Sequence, residues 1–197
     1  MNTLEQLNEK GLLSNEDKEL LKELAKGTEN ILVIGNDVHI NGMLLMTILR
    51  ERRSNELGWY FKDRDDLEDF RNLVPNFTVL NSSMVKSYLD ARELVRSITS
   101  TPIVIDEINT HAMAKFYLEC CVGLRDQVTA AYTGYGDARD LLNSFAQLTR
   151  PTDSVDHRTD KQVIDYVRET LNIFVTYSKD ENGQTKITVV DNRRQQN

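Results

Sequence analysis

Five short apolar runs set the limits on how this chain can fold. They are Ile31 to Ile34 (ILVI), Gly58 to Lys62 (GWYFK), Phe77 to Leu80 (FTVL), Ile103 to Ile105 (IVI) and Val128 to Tyr132 (VTAAY). Runs this short and this apolar suit strands buried on both faces. The stretches between them carry helical spacing: Met43 to Leu49; Leu89, Leu94, Val95 and Ile98 over residues 90–99; Ala112, Phe116, Leu118 and Val122 over 110–124; and residues 137–148 after the Gly134-Tyr135-Gly136 turn. Parallel strands need crossovers of about this length, usually helices. The expected fold class is therefore α/β, a mostly parallel, helix-covered sheet.

Both ends of the chain add to this core. Thr3 is placed to cap a short helix that stops at Gly11, and Ser14 with Asp17 opens a second that runs to Gly27. Leu4, Leu7, Leu12, Leu13, Leu20, Leu21 and Leu24 give this lead-in an apolar side, so it is expected to pack. From Leu171 the pattern changes. Leu171 to Tyr177 and Gln184 to Val190 read as strands around Asn182-Gly183, a hairpin signal. The expected division is a helical lead-in over 1–28, one domain over 29–191 and a frayed polar tail over 192–197.

Composition narrows the function classes. The 197 residues fit one domain with a sizeable core, and 40% apolar with 28% charged residues is ordinary for a globular protein. A formal charge of -7 gives no general attraction to nucleic acid or anionic membrane. No apolar run approaches the roughly 20 residues of a membrane span, and the polar start is not a signal peptide. A reducing cytoplasm is the expected compartment. Cys120 and Cys121 are adjacent in a helical pattern, where a mutual disulfide is sterically disfavoured, and read as core thiols.

Candidate chemistry gathers at strand ends. The stretch from Asn30 to Arg50 has the strand, glycine turn and helix of a phosphate-binding loop, with Gly35 and Asn36 as the turn. In G-x-x-x-x-G-K-[ST] the second Gly lets backbone N–H groups approach phosphate, the Lys neutralises charge and the Ser/Thr holds Mg²⁺. Counting from Gly35, those places hold Ile40, Asn41 and Gly42. Asp106 and Glu107 follow an apolar strand, where a carboxylate pair can hold Mg²⁺ and polarise water, or can simply accept hydrogen bonds from neighbouring loops. A metal site of Asp63, Asp106 and Glu107 is a further reading. His39, His111 and His157 lack ligand spacing. Asp63, Asp65, Asp66, Glu68 and Asp69 read as a solvated face, and Arg50, Arg52 and Arg53 as a helix end or a small basic patch.

Three segments carry a likeness to a known family: LEQLNEKGLLSNEDKELLKELAKGTENILVIG, IVIDEI and TLNIFVTYSKDENGQTKITVVDN. Their order over residues 4–190 resembles the C-terminal RecA-like P-loop NTPase domain of the traffic ATPases of type II and type IV secretion, conjugation and pilus assembly. The resemblance implies a RecA-like fold, an ATP and Mg²⁺ site, and protein subunits of such a machine as partners. The N-terminal domain that helps the family form hexameric rings is expected to be missing. The motifs depart from the family at the reactive places. Beside Ile40, Asn41 and Gly42, the family's acidic box falls on Phe61, Lys62, Asp63, Arg64, Asp65 and Asp66, so Lys62 replaces a Glu. Glu107 fits the second nucleotide motif, while Asp106 replaces its Gly and Asn109 its Arg. The family's histidine falls near Thr133 or Gly134.

Three functions follow as expectations. The first is a catalytically inactive relative that acts as a structural or regulatory interaction subunit of a secretion, conjugation or pilus machine, cytoplasmic and peripheral to the membrane-embedded parts. The second is an ATPase with an atypical site: Lys62 as the phosphate cation, Glu107 orienting water, Asp63 or Asp106 towards Mg²⁺, and an arginine finger from a neighbouring subunit. The third is a nucleic-acid-binding subunit of a DNA-transfer apparatus that uses Arg50, Arg52 and Arg53.

Overall fold

The structure, a computed structural model, describes residues 3–52, 56–63, 70–73, 75–86, 93–94, 101–123, 127–136, 138–150, 158–179 and 184–195. In chain order the elements are α1 (Leu4–Glu9), α2 (Asn15–Lys26), β1 (Ile31–Gly35), α3 (Val38–Leu49), β2 (Gly58–Lys62), α4 (Phe70–Leu73), β3 (Phe77–Asn81), β4 (Ile103–Ile105), α5 (His111–Gly123), β5 (Val128–Thr133), α6 (Ala138–Leu148), α7 (Asp160–Thr170), β6 (Ile173–Lys179) and β7 (Thr185–Asp191). The strands form one sheet in the order β3-β2-β4-β5-β1-β6-β7. All neighbouring pairs are parallel except β6 with β7. The fold is thus the α/β, helix-covered sheet with a closing antiparallel hairpin that the sequence leads one to expect.

β1 explains why the sheet sits between two helical layers. All five of its residues are buried. Ile31 and Val33 face one core with Leu21 and Leu24 of α2 and Leu44, Leu45 and Ile48 of α3. Leu32 and Ile34 face the other with Phe116 of α5, Phe145 of α6 and Val163 and Val167 of α7. Successive strand residues point to opposite faces, so a run without polar residues must be covered twice. Phe61 and Phe116 meet edge to face at 4.7 Å between centroids in the second core.

The lead-in packs as its leucines imply, with Leu4, Leu7, Leu13, Leu20, Leu21 and Leu24 in the same core as Ile31 and Val33. Thr3 and Gln6 form a capping box, Ser14 accepts from the Asp17 N–H at 3.0 Å, and Gly11 takes a left-handed φ of 72° after α1. α7 has no counterpart in the sequence reading, although Thr159 and Gln162 make a capping box at its start. At the end of the chain Asn192–Gln195 form a 3-10 turn, and residues 196–197 of the expected frayed tail lie outside the described residues. The Asn192 amide donates to Leu171 O at 2.9 Å, and Arg193 bridges Asp191 and Glu29. Those bonds satisfy the carbonyls that end α7 and fix the turn. The expected 90–99 helix, apart from residues 93–94, and the Asn182-Gly183 turn lie outside the described residues.

Candidate functional site

The loop after β1 is short. Gly35 ends the strand and Val38 begins α3, so only Asn36 and Asp37 connect them. Asp37 is the N-cap: its carboxylate accepts from the His39 N–H at 2.8 Å and the Ile40 N–H at 3.2 Å. Tyr177 reaches in from β6. Its hydroxyl accepts from the Asp37 N–H at 2.5 Å and donates to Asp37 O at 3.2 Å. The ring lies directly on Gly35, where a Cβ would stand 2.2 Å from the Tyr177 Cε1, so glycine is required there for close approach. Burial against this loop holds the Tyr177 pKa above its ordinary value, and the hydrogen bond from Asp37 offsets part of that shift.

Ile40, Asn41 and Gly42 fall in the first turns of α3. Asn41, in the place of the phosphate-loop lysine, is fully buried. Its amide nitrogen donates to Tyr132 O at 3.0 Å and to the Thr133 hydroxyl oxygen at 2.9 Å, so the nitrogen end of the side chain is held by β5. A triphosphate needs free N–H donors and a cation at this place. Two of the donors are already taken, by a carboxylate, and the space over Gly35 holds an aromatic ring. These residues do not fit ATP with Mg²⁺.

The carboxylates at the end of β4 are tied to neighbouring strands. Asp106 is fully buried. It accepts from the Tyr60 hydroxyl at 2.9 Å and the Asp63 N–H at 2.7 Å, which joins the ends of β2 and β4. Glu107 accepts from the Thr133 N–H at 2.8 Å and from its hydroxyl at 3.2 Å. Asn41, Thr133 and Glu107 therefore form one polar chain across α3, β5 and β4. Asp63 is exposed, and its two oxygens accept from the Ser82 hydroxyl at 2.7 Å and the Asn109 amide at 2.5 Å. Among the described residues, no three His, Cys, Asp or Glu side chains are arranged to hold a metal ion. His39 is exposed, His111 Nδ1 donates to Leu148 O at 2.7 Å, and His157 lies outside the described residues.

Two expected arrangements are not formed. Lys62 ends β2, and β4 and β5 stand between that strand and β1. At about 4.8 Å per strand the separation is about 14 Å, too far for the side chain to serve the loop. The basic patch also dissolves. The Arg52 side chain is only 4% exposed; it pairs with Glu56 at 2.9 Å and donates to the Gln127 side chain, because the end of α3 turns it under the sheet. Arg50 is exposed, and Arg53 lies outside the described residues. Cys120 and Cys121 are free thiols whose pKa values burial pushes well above the ordinary range, which suppresses thiolate chemistry.

Two residues that complete this constellation escaped sequence reading. Tyr177 is 140 positions from Asp37, and nothing local marks the contact. Tyr60 appears in sequence only as one aromatic of a strand, although it supplies a buried hydroxyl to Asp106.

No protein-family model and no curated protein sequence match the chain. Solved structures do. The VirB11 ATPase of the Brucella suis type IV secretion system, crystallised with sulphate, superposes with a TM-score of 0.73 at 15% identity, over 97% of this chain and 55% of that one. The ATPase DotB of Yersinia pseudotuberculosis gives 0.55 at 10% identity, over 88% of this chain and 46% of that one. The pilus retraction motor PilT with bound ADP gives 0.52 at 12% identity, over 88% and 50%. The chain thus spans about half the length of the solved structures it matches. With its strand order and closing hairpin, it has the RecA-like P-loop NTPase fold of the secretion and pilus traffic ATPases.

Proposed function

We propose that this chain is a non-hydrolysing relative of the traffic ATPases and acts as a structural or regulatory interaction subunit of a secretion, conjugation or pilus machine, at the periphery of its membrane-embedded parts. One observation carries the reading: the start of α3 is filled from within, by the Asp37 carboxylate on the His39 and Ile40 N–H groups and by Tyr177 over Gly35. The lysine position supports it, since Asn41 is committed to β5. The surfaces of a fold can keep their partners after its site has lost its chemistry. Among the described residues no helix is long and apolar enough to cross a membrane.

Phosphate release from Mg²⁺-ATP by the purified chain tests this reading. The expected rate equals that of a buffer blank and is the same for Glu107→Gln. Turnover above the blank that disappears in Glu107→Gln contradicts it. The positions of Lys62 and Arg52 weigh against the atypical ATPase and the nucleic-acid subunit.

A further inference from the structure

We propose that Asp37 and Tyr177 form a plug built into the chain, one that keeps an oxyanion of the phosphate class out of the start of α3. The inference rests on the reading that the unmodified loop binds no nucleotide, and it adds that two identifiable side chains hold the loop shut. A twelve-residue helix such as α3 presents unpaired N–H groups and the positive end of its dipole at its start. Asp37 answers both, with one oxygen on two N–H groups and a negative charge that repels a second anion. Tyr177 closes the remaining space, with its ring on Gly35 and its hydroxyl between the N–H and the carbonyl of Asp37.

A second observation lies beneath the ring. Asn41 is fully buried, and its Oδ1 has no hydrogen-bond partner. That oxygen lies against Gly35, 2.6 Å from where a Cβ on that residue would stand, on the same side as the Tyr177 ring. An unsatisfied buried acceptor is costly, and the hydroxyl of hydrogen phosphate can satisfy it once the ring has moved. Tyr177 lies in β6, two residues before the strand ends at Lys179, and is paired with Ile187 of β7.

The test is an amide NMR titration with inorganic phosphate on the unmodified chain and on the Asp37→Gly/Tyr177→Ala double variant. Glycine is tolerated at an N-cap at little cost, so the helix start is retained. The expected result is no saturable shift in the unmodified chain. In the double variant, saturable shifts should appear at the Asn36, His39 and Ile40 amides, with half-saturation about tenfold or more below the highest phosphate concentration that leaves the unmodified chain unshifted. A folded double variant without such shifts overturns the plug, as does an unmodified chain that binds phosphate equally well. Tyr177→Phe supplies an independent measure that keeps the ring. Hydrogen exchange at the Asp37 amide should accelerate about tenfold through loss of its acceptor, and an unchanged rate overturns the latch. ATP turnover by the unmodified chain overturns the functional reading instead, so the two failures are distinguishable.

Discussion

At the scale of residues, the C-terminal end of the central strands, which could have served a nucleotide, is organised by hydrogen bonds within the chain. Thr133 is the central member, since its hydroxyl accepts from Asn41 and donates to Glu107, while its N–H donates to the other Glu107 oxygen. Thr133→Val keeps the shape and removes the hydroxyl, which takes one hydrogen bond each from the buried Asn41 and Glu107 side chains. The expected cost is about 2 kcal/mol of stability, read as a lower urea midpoint at unchanged m-value; a loss under about 0.5 kcal/mol contradicts the role given to this chain of bonds. Part of this arrangement is legible in the sequence. Gly35, Asp106 and Glu107 can be placed at strand ends from apolar runs alone, and both carboxylates could be read as acceptors for neighbouring loops. The contacts of Tyr177 and Tyr60 were not legible, because they depend on which strands are neighbours. The distance of Lys62 from the loop is hidden for the same reason: spacing along the chain carries no information on the two strands that separate it from β1.

Elements follow local chemistry more closely. The lead-in helices start at Thr3 and Ser14 because a side-chain oxygen three residues ahead of a backbone N–H can take it, a rule that a sequence displays directly. The same rule marks Thr159 and Gln162 before α7, where weak composition hid the helix from a reading guided by apolar periodicity. Thr159→Ala should cost about 1 kcal/mol, checked by chemical denaturation; no change contradicts the cap. The α1–α2 pair makes a pH-dependent prediction. Lys22 lies 2.5 Å from Glu5 and 3.3 Å from Glu19. Its hydrogen bond holds the Glu5 carboxyl below its ordinary value. A carboxylate with a depressed folded-state pKa contributes stability above the unfolded value, and loses it as pH falls through the folded one. Because the pair is exposed, the contribution is small and screened by salt. Carbon-13 NMR titration should therefore find the Glu5 midpoint below the ordinary glutamate value in the unmodified chain and higher in Lys22→Gln; equal midpoints contradict the pairing.

At the scale of the whole molecule, a seven-stranded sheet covered on both faces retains the fold of the traffic ATPases at identities of 10 to 15%. Folding depends on the two cores, which β1 divides between Ile31 and Val33 on one side and Leu32 and Ile34 on the other. Phe61→Ala in the second core should cost about 3–5 kcal/mol and lower the melting temperature accordingly, without any dependence on nucleotide. The central claim is that the start of α3 is closed to nucleotide from within. Thermal melting of the purified chain with and without Mg²⁺-ATP tests it most directly, since a ligand at 100 times its dissociation constant adds about 2.7 kcal/mol of stability. The expected result is the same melting temperature at every nucleotide concentration. A rise of about 5 °C or more that grows with the logarithm of nucleotide concentration contradicts the claim.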